Sequence, residues 1–190
     1  MGKFIKDYFK NDLKKSLERQ EKARNLIEMH EETSIDDIPL LDVIAISGSG
    51  TFSPQKRTGF IEDKMRRVFS WKKVKASEAK GDYIDKDGKY FELKCSSTND
   101  FNLINLLQIR PWQEVDYYRV IYFDLDEPAK SKSYILSKNE MIAEIEKYGA
   151  ATHGTKNTNK SNGKIEYSIH LPIENEWDKQ FLDEDFFKER

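Results

Sequence analysis

Asp82, Glu92 and Lys94 fall within one stretch, GDYIDKDGKYFELK, from Gly81 to Lys94. Alternation along a strand puts Tyr90, Glu92 and Lys94 on one face and Phe91, Leu93 and Cys95 on the other, with Glu92 and Lys94 about 7 Å apart at Cα. The turn sets the register. A three-residue loop Lys86-Asp87-Gly88, with Gly88 left-handed, pairs Asp85 with Lys89, Ile84 with Tyr90 and Asp82 with Glu92. Two carboxylates then face each other with β-carbons about 5 Å apart, which is unfavourable unless positive charge sits between or beside them. A divalent cation meets that need. Oxygen ligands without neighbouring His or Cys suit Mg²⁺, with Mn²⁺ as a substitute, better than Zn²⁺. Lys94, on the same face, is placed to hold an attacking water or to offset charge on a phosphate. The alternative is an exposed hairpin carrying a Glu92–Lys94 salt bridge.

The elements around this stretch must position it. A helix from about Gly59 to Phe69 carries Ile61, Met65 and Val68 on one stripe, with Glu62 about 100° round from Ile61, where a carboxylate can look into a cleft. Upstream, residues 3 to 31 read as a charged amphipathic helix for packing or dimerisation. The apolar run PLLDVIAI leads into a loop, SGSGTFSPQKR, that lacks the Gly-Lys-Ser or Gly-Lys-Thr of a phosphate loop. Downstream, Phe101 to Arg110 reads as a helix with Leu103, Leu106 and Leu107 inward, broken at Pro111. YYRVIYFDL reads as a strand. Ser137 and Glu140 form a capping box for a helix ending near Gly149. A polar loop, THGTKNTNKSNGK, precedes an alternating strand with Ile165, Tyr167, Ile169 and Leu171 on one face. Without repeats or an obvious linker, residues 1–190 read as one α/β domain.

Composition narrows the partners. The chain is 37% hydrophobic and 35% charged, with 12% aromatic residues, which is polar but too aromatic for disorder. No apolar run reaches the roughly 18 residues of a membrane span, and the N-terminus lacks a secretory core, so the expected location is cytoplasmic, away from membranes. Cys95 is the single cysteine and His30, His153 and His170 are scattered, so no zinc cluster is spelled out. The net charge of −2 gives no overall signal for nucleic acid, but Lys and Arg dominate from Lys56 to Lys80. Lys56, Arg57 and Arg67 are the candidate phosphate contacts there. Gln108 and Arg110, together with His153, Lys156 and Asn157 in the polar loop, carry donors and acceptors suited to base edges.

Gly81-Asp82, a turn, then Phe91-Glu92-Leu93-Lys94 resembles the signature of the PD-(D/E)xK nuclease superfamily, although Gly81 stands where proline is frequent. Glu62 resembles the helix glutamate that many members add. The order PQKRTGFIEDK, KGDY, YFELKCS and LLQIRPWQEVDYY is similar to small type II restriction endonucleases, over about Pro54 to Tyr118. Gln113 and Tyr117 match the Q-x-x-x-Y of some exonucleases in the superfamily. The resemblance implies a restriction-endonuclease-like mixed β-sheet core, about 54–125, flanked by helices, with an N-terminal helical segment. It implies a Mg²⁺-dependent endonuclease acting on double-stranded DNA at specific sites as a homodimer. Asp82, Glu92 and Glu62 would be metal ligands and Lys94 the water-positioning group. A structure-specific repair nuclease and a non-catalytic DNA-binding module are the alternatives.

Overall fold

A computed structural model of the chain describes residues 2–50, 53–75, 78–98, 102–151 and 165–188, which fall into two compact units. The first unit holds the N-terminal part to Val68 and the segment Asp124–Lys130. Its long helix α1, Gly2–Met29, turns Ser16, Arg19, Ala23 and Leu26 inward, an amphipathic spacing that keeps its Lys and Glu in water. Arg19 clamps Asp126 through Nε and Nη2 at 2.6 and 2.9 Å. The apolar run after Pro39 is a short buried helix, α2, Leu40–Ser47, whose one hydroxyl, on Ser47, donates to the Val43 carbonyl at 2.7 Å. Helix α3, Pro54–Val68, starts earlier than its apolar stripe predicts. Ser53 explains the difference: its hydroxyl and carbonyl accept from the amides of Lys56 and Arg57, and Pro54 needs no partner at the first position. Ile61 and Met65 are fully buried, as that stripe requires.

The second unit, Phe69–Phe123 with Ser131–Lys188, is built on two sheets. The larger contains β1 (Lys72–Lys73), β2 (Tyr83–Ile84), β3 (Tyr90–Ser97), β5 (Tyr117–Phe123) and β6 (Lys132–Ser137), in the order β1-β2-β3-β5-β6. It is mixed, because β3 and β5 run parallel while every other pair is antiparallel. The smaller sheet has the order β4-β8-β7, from Leu103–Ile109, Tyr167–Pro172 and Ala150–Ala151 respectively. Helix α4, Lys138–Tyr148, begins with the predicted reciprocal box: Ser137 Oγ accepts from the Glu140 amide, and Glu140 Oε2 accepts from the Ser137 amide. The last helix, α5, is the single turn Trp177–Gln180. Among the described residues, five α-helices and two sheets make the chain mixed α/β. None of the described helices is long and apolar enough to cross a membrane.

One expectation is overturned. Leu103–Ile109 is a strand, not a helix: Ile104, Leu106 and Ile109 are buried, whereas Leu107 is 56% exposed. Pairing decided this, because Ile104 lies opposite Leu171 and Leu106 opposite Ile169. The register then slips between Leu106 and Ile109, where Gln108 adopts φ +54, so two-residue alternation jumps to a three-residue step that imitates a helix. Ile165 likewise precedes β8 and is exposed, while Ile169 and Leu171 on that strand are buried.

The core of this unit joins both sheets. Tyr118, Val120 and Tyr122 of β5 and Leu136 of β6 pack with Ile104 and Leu106, with Ile169 and Leu171, and with Met141 of α4. Glu92, Lys94 and Ser96 stand in register with Tyr118, Val120 and Tyr122, so β3 presents its polar row to the same side. On the opposite face Phe91 stacks on Tyr117 at 5.0 Å and meets Trp71 edge-on at 4.9 Å, which anchors β3 from behind.

Candidate active site

The hairpin forms as its turn residues dictate. Gly88 takes φ +78 and donates to the Asp85 carbonyl, and the Asp85 amide donates to the Lys89 carbonyl at 3.0 Å. Asp85 Oδ1 accepts from the amides of Asp87 and Lys89, holding the loop tight. The register is Ile84 opposite Tyr90 and Tyr83 opposite Phe91. Asp82, one step further, donates its amide to the Phe91 carbonyl at 2.9 Å.

Asp82, Glu92 and Lys94 come together on one side of the sheet. Lys94 Nζ donates to Glu92 Oε1 at 2.7 Å, and Gln113 Nε2 donates to Glu92 Oε2 at 3.0 Å. Asp82 Oδ2 accepts from the Leu93 amide at 3.0 Å, and the Glu92 and Lys94 charges both act on its carboxyl. Burial is deep. Glu92 is only 2% exposed and the Lys94 side chain 13%. Desolvation, with the neighbouring Glu92 charge second, pushes the Asp82 carboxyl up to about 6, despite the Leu93 amide and Lys94 pulling the other way. One lysine therefore does not neutralise two acids held this close. Burial, and then Glu92, also raise the Tyr118 phenol above its ordinary range; its hydroxyl donates to the Arg110 carbonyl at 3.1 Å.

Gly81 makes the approach possible. Its φ is +81, and a β-carbon there would stand 2.6 Å from the Phe91 carbonyl oxygen and 2.7 Å from Val115 Cγ1. Proline, fixed near −65°, cannot adopt that conformation.

The remaining expected residues fall on other elements. Glu62 is half-buried on α3 in the first unit, where Lys56 is exposed and Arg57 half-buried. Arg67 is engaged with Asp63 at 2.6 Å and Asp36 at 3.1 Å, both exposed ion pairs. Gln108 lies exposed at the β4 irregularity, and Arg110 Nε donates to Glu166 Oε1 at 2.8 Å. Both therefore belong to a strand and the loop after it, not to a helix end. His153, Lys156 and Asn157 lie outside the described residues. Of the Q-x-x-x-Y pair, Gln113 reaches Glu92, whereas Tyr117 faces the other way and donates its hydroxyl to Asp85 Oδ2 at 2.9 Å. Tyr118, one residue later, shares the side of Glu92.

Among the described residues no three His, Cys, Asp or Glu side chains gather as a metal cage. The donor set here is two carboxyls and an amide, Gln113, whose Oε1 is buried without a partner. Hard oxygen donors with surplus negative charge fit a hard divalent cation such as Mg²⁺. An acceptor left unpaired in the interior otherwise costs about 1–3 kcal/mol. Compared with known proteins, the sequence matches no family model and no curated protein.

Proposed function

We propose that the protein is a Mg²⁺-dependent DNA endonuclease of the PD-(D/E)xK type, working as a cytoplasmic homodimer that cuts double-stranded DNA at specific sites. The observation that carries this reading is the meeting of Asp82, Glu92 and Lys94 on one side of a mixed sheet, where Lys94 bonds Glu92 and Asp82 caps the Leu93 amide between them. The hairpin β2–β3 and its parallel neighbour β5 are the parts a restriction-endonuclease-like core would need.

Asp82 and Glu92 would hold the cation, which when bound supplies Lewis-acid stabilisation of phosphate charge and lowers the pKa of water. The protein's own share is positional. The Leu93 amide and Gln113 fix the two carboxylates, and the buried Lys94 ammonium orients a water in line with the scissile P–O bond and offsets charge on the phosphoryl oxygens. The water oxygen forms the new P–O bond and releases its proton to solvent, and the opposite P–O bond breaks as its alkoxide leaves and takes a proton from solvent. Lys56 and Arg57 on α3 are the phosphate contacts of this reading.

Incubating the full chain with supercoiled plasmid and Mg²⁺ tests it. A fixed set of fragments is expected, with Lys94→Ala cutting about 100-fold more slowly or worse. Ragged degradation or action on ends alone favours a structure-specific nuclease with the same site. Absence of cleavage with both Mg²⁺ and Mn²⁺, or full cleavage by Lys94→Ala, overturns the proposal.

A further inference from the structure

We propose that the side-chain carbonyl of Gln113 is the third protein oxygen of the cation site, completing what the two carboxyls of Asp82 and Glu92 begin. The inference rests on the metal-dependent reading above and adds to it a residue outside the Asp-Glu-Lys signature.

Gln113 is 6% exposed, and its amide has a divided fate. Nε2 donates to Glu92 Oε2 at 3.0 Å, while Oε1 is buried and meets no donor. The two ends of one amide are just over 2 Å apart, so Oε1 lies within about 5 Å of that carboxylate oxygen. Buried acceptors are almost always paired, and this one has no donor among the protein's own groups. An incoming cation supplies what is missing. Neutral amide oxygens are ordinary ligands of hard divalent ions, and this one adds a donor without adding a third negative charge.

The segment carrying Gln113 is also held in place before anything binds. Its amide donates to the Arg110 carbonyl at 3.0 Å and its carbonyl accepts from Lys138 Nζ. The next amide, of Glu114, donates to Ala79 at 2.6 Å, and the Asp116 amide donates to Tyr90 at 2.8 Å. Tyr90 returns its own amide to Asp116 Oδ2 at 2.8 Å, tying the loop to the first residue of β3. A side chain on so constrained a loop keeps its aim, which is what a metal ligand requires.

Calorimetric titration of Mn²⁺ into the full-length chain, paired with thermal melting in chelator, separates this role from simple packing. Gln113→Leu is expected to weaken Mn²⁺ binding tenfold or more. Gln113→Glu, which keeps an oxygen there, is expected to bind within about threefold of the unmodified chain or more tightly, although its third carboxyl lowers the metal-free melting temperature. Unchanged affinity in Gln113→Leu, or affinity losses that track melting temperature in both variants, overturns the assignment of Gln113 alone. No Mn²⁺ binding by the unmodified chain removes the metal site itself, and this role with it.

Discussion

At Asp82 the burial that assembles the site also opposes folding. Its carboxyl is held at about 6, above the ordinary 3.8, so folding favours the protonated form. That contribution is fully present below about pH 4 and is lost as pH rises through about 6. Between those limits it amounts to roughly 3 kcal/mol. The metal-free chain is therefore weakened by this group at neutral pH, and Asp82→Asn, which is neutral and nearly isosteric, is expected to melt higher than the unmodified chain at pH 7.5 in chelator. The difference should vanish by pH 4. Melting curves for the two proteins across that range check it, and a variant that melts lower at pH 7.5 would contradict the strain assigned to the pair. Lys94 relieves part of this repulsion through its 2.7 Å bond to Glu92, which is why its removal should be felt in stability as well as in cleavage.

Among the elements, the β2–β3 hairpin is the one whose geometry would set the proposed chemistry. Gly81 lets the chain enter β2 at φ +81 while passing against Phe91 and Val115. Gly81→Ala is expected to cost about 2–4 kcal/mol, from left-handed strain and overlap with backbone together, and to displace the Asp82 carboxyl. Chemical denaturation gives the first, and loss of Mn²⁺ affinity beyond that of an equally destabilised core variant such as Val120→Ala gives the second. Gly88, also left-handed but with open space around its α-carbon, should tolerate alanine better, since only the backbone strain remains. Strand β4 shows the opposite dependence. Its seven residues do not announce their state; β8 does so from across the sheet.

For the molecule as a whole, a net charge of −2 supplies no general pull toward a polyanion, so the proposed binding of DNA would depend on a few local cations. Several basic side chains of α3 are already committed: Lys64 donates to the Ile35 and Asp36 carbonyls, and Arg66 and Arg67 are paired with Asp63. Lys56 remains exposed. Lys56→Ala is expected to weaken binding of the full chain to unrelated DNA sequences by a similar factor and to reduce the slope of log affinity against log salt by about 1. Fluorescence anisotropy at several salt concentrations reads both; a change confined to one DNA sequence would instead make Lys56 a base-reading residue.

What the sequence determined by itself is local. Alternation put Glu92 and Lys94 on one face, Gly88 set the three-residue turn and with it the approach of Asp82, and Ser137 with Glu140 started α4, because each is governed by residues only a few positions apart. Tertiary structure decided the rest. It made Leu103–Ile109 a strand through pairing with β8, turned Tyr118 instead of Tyr117 toward Glu92, spent Arg67 and Arg110 on acids, and brought Gln113 to Glu92 from 21 residues away in sequence. Those outcomes depend on which distant partner satisfies a buried group, and side-chain type and spacing along one chain do not specify that partner.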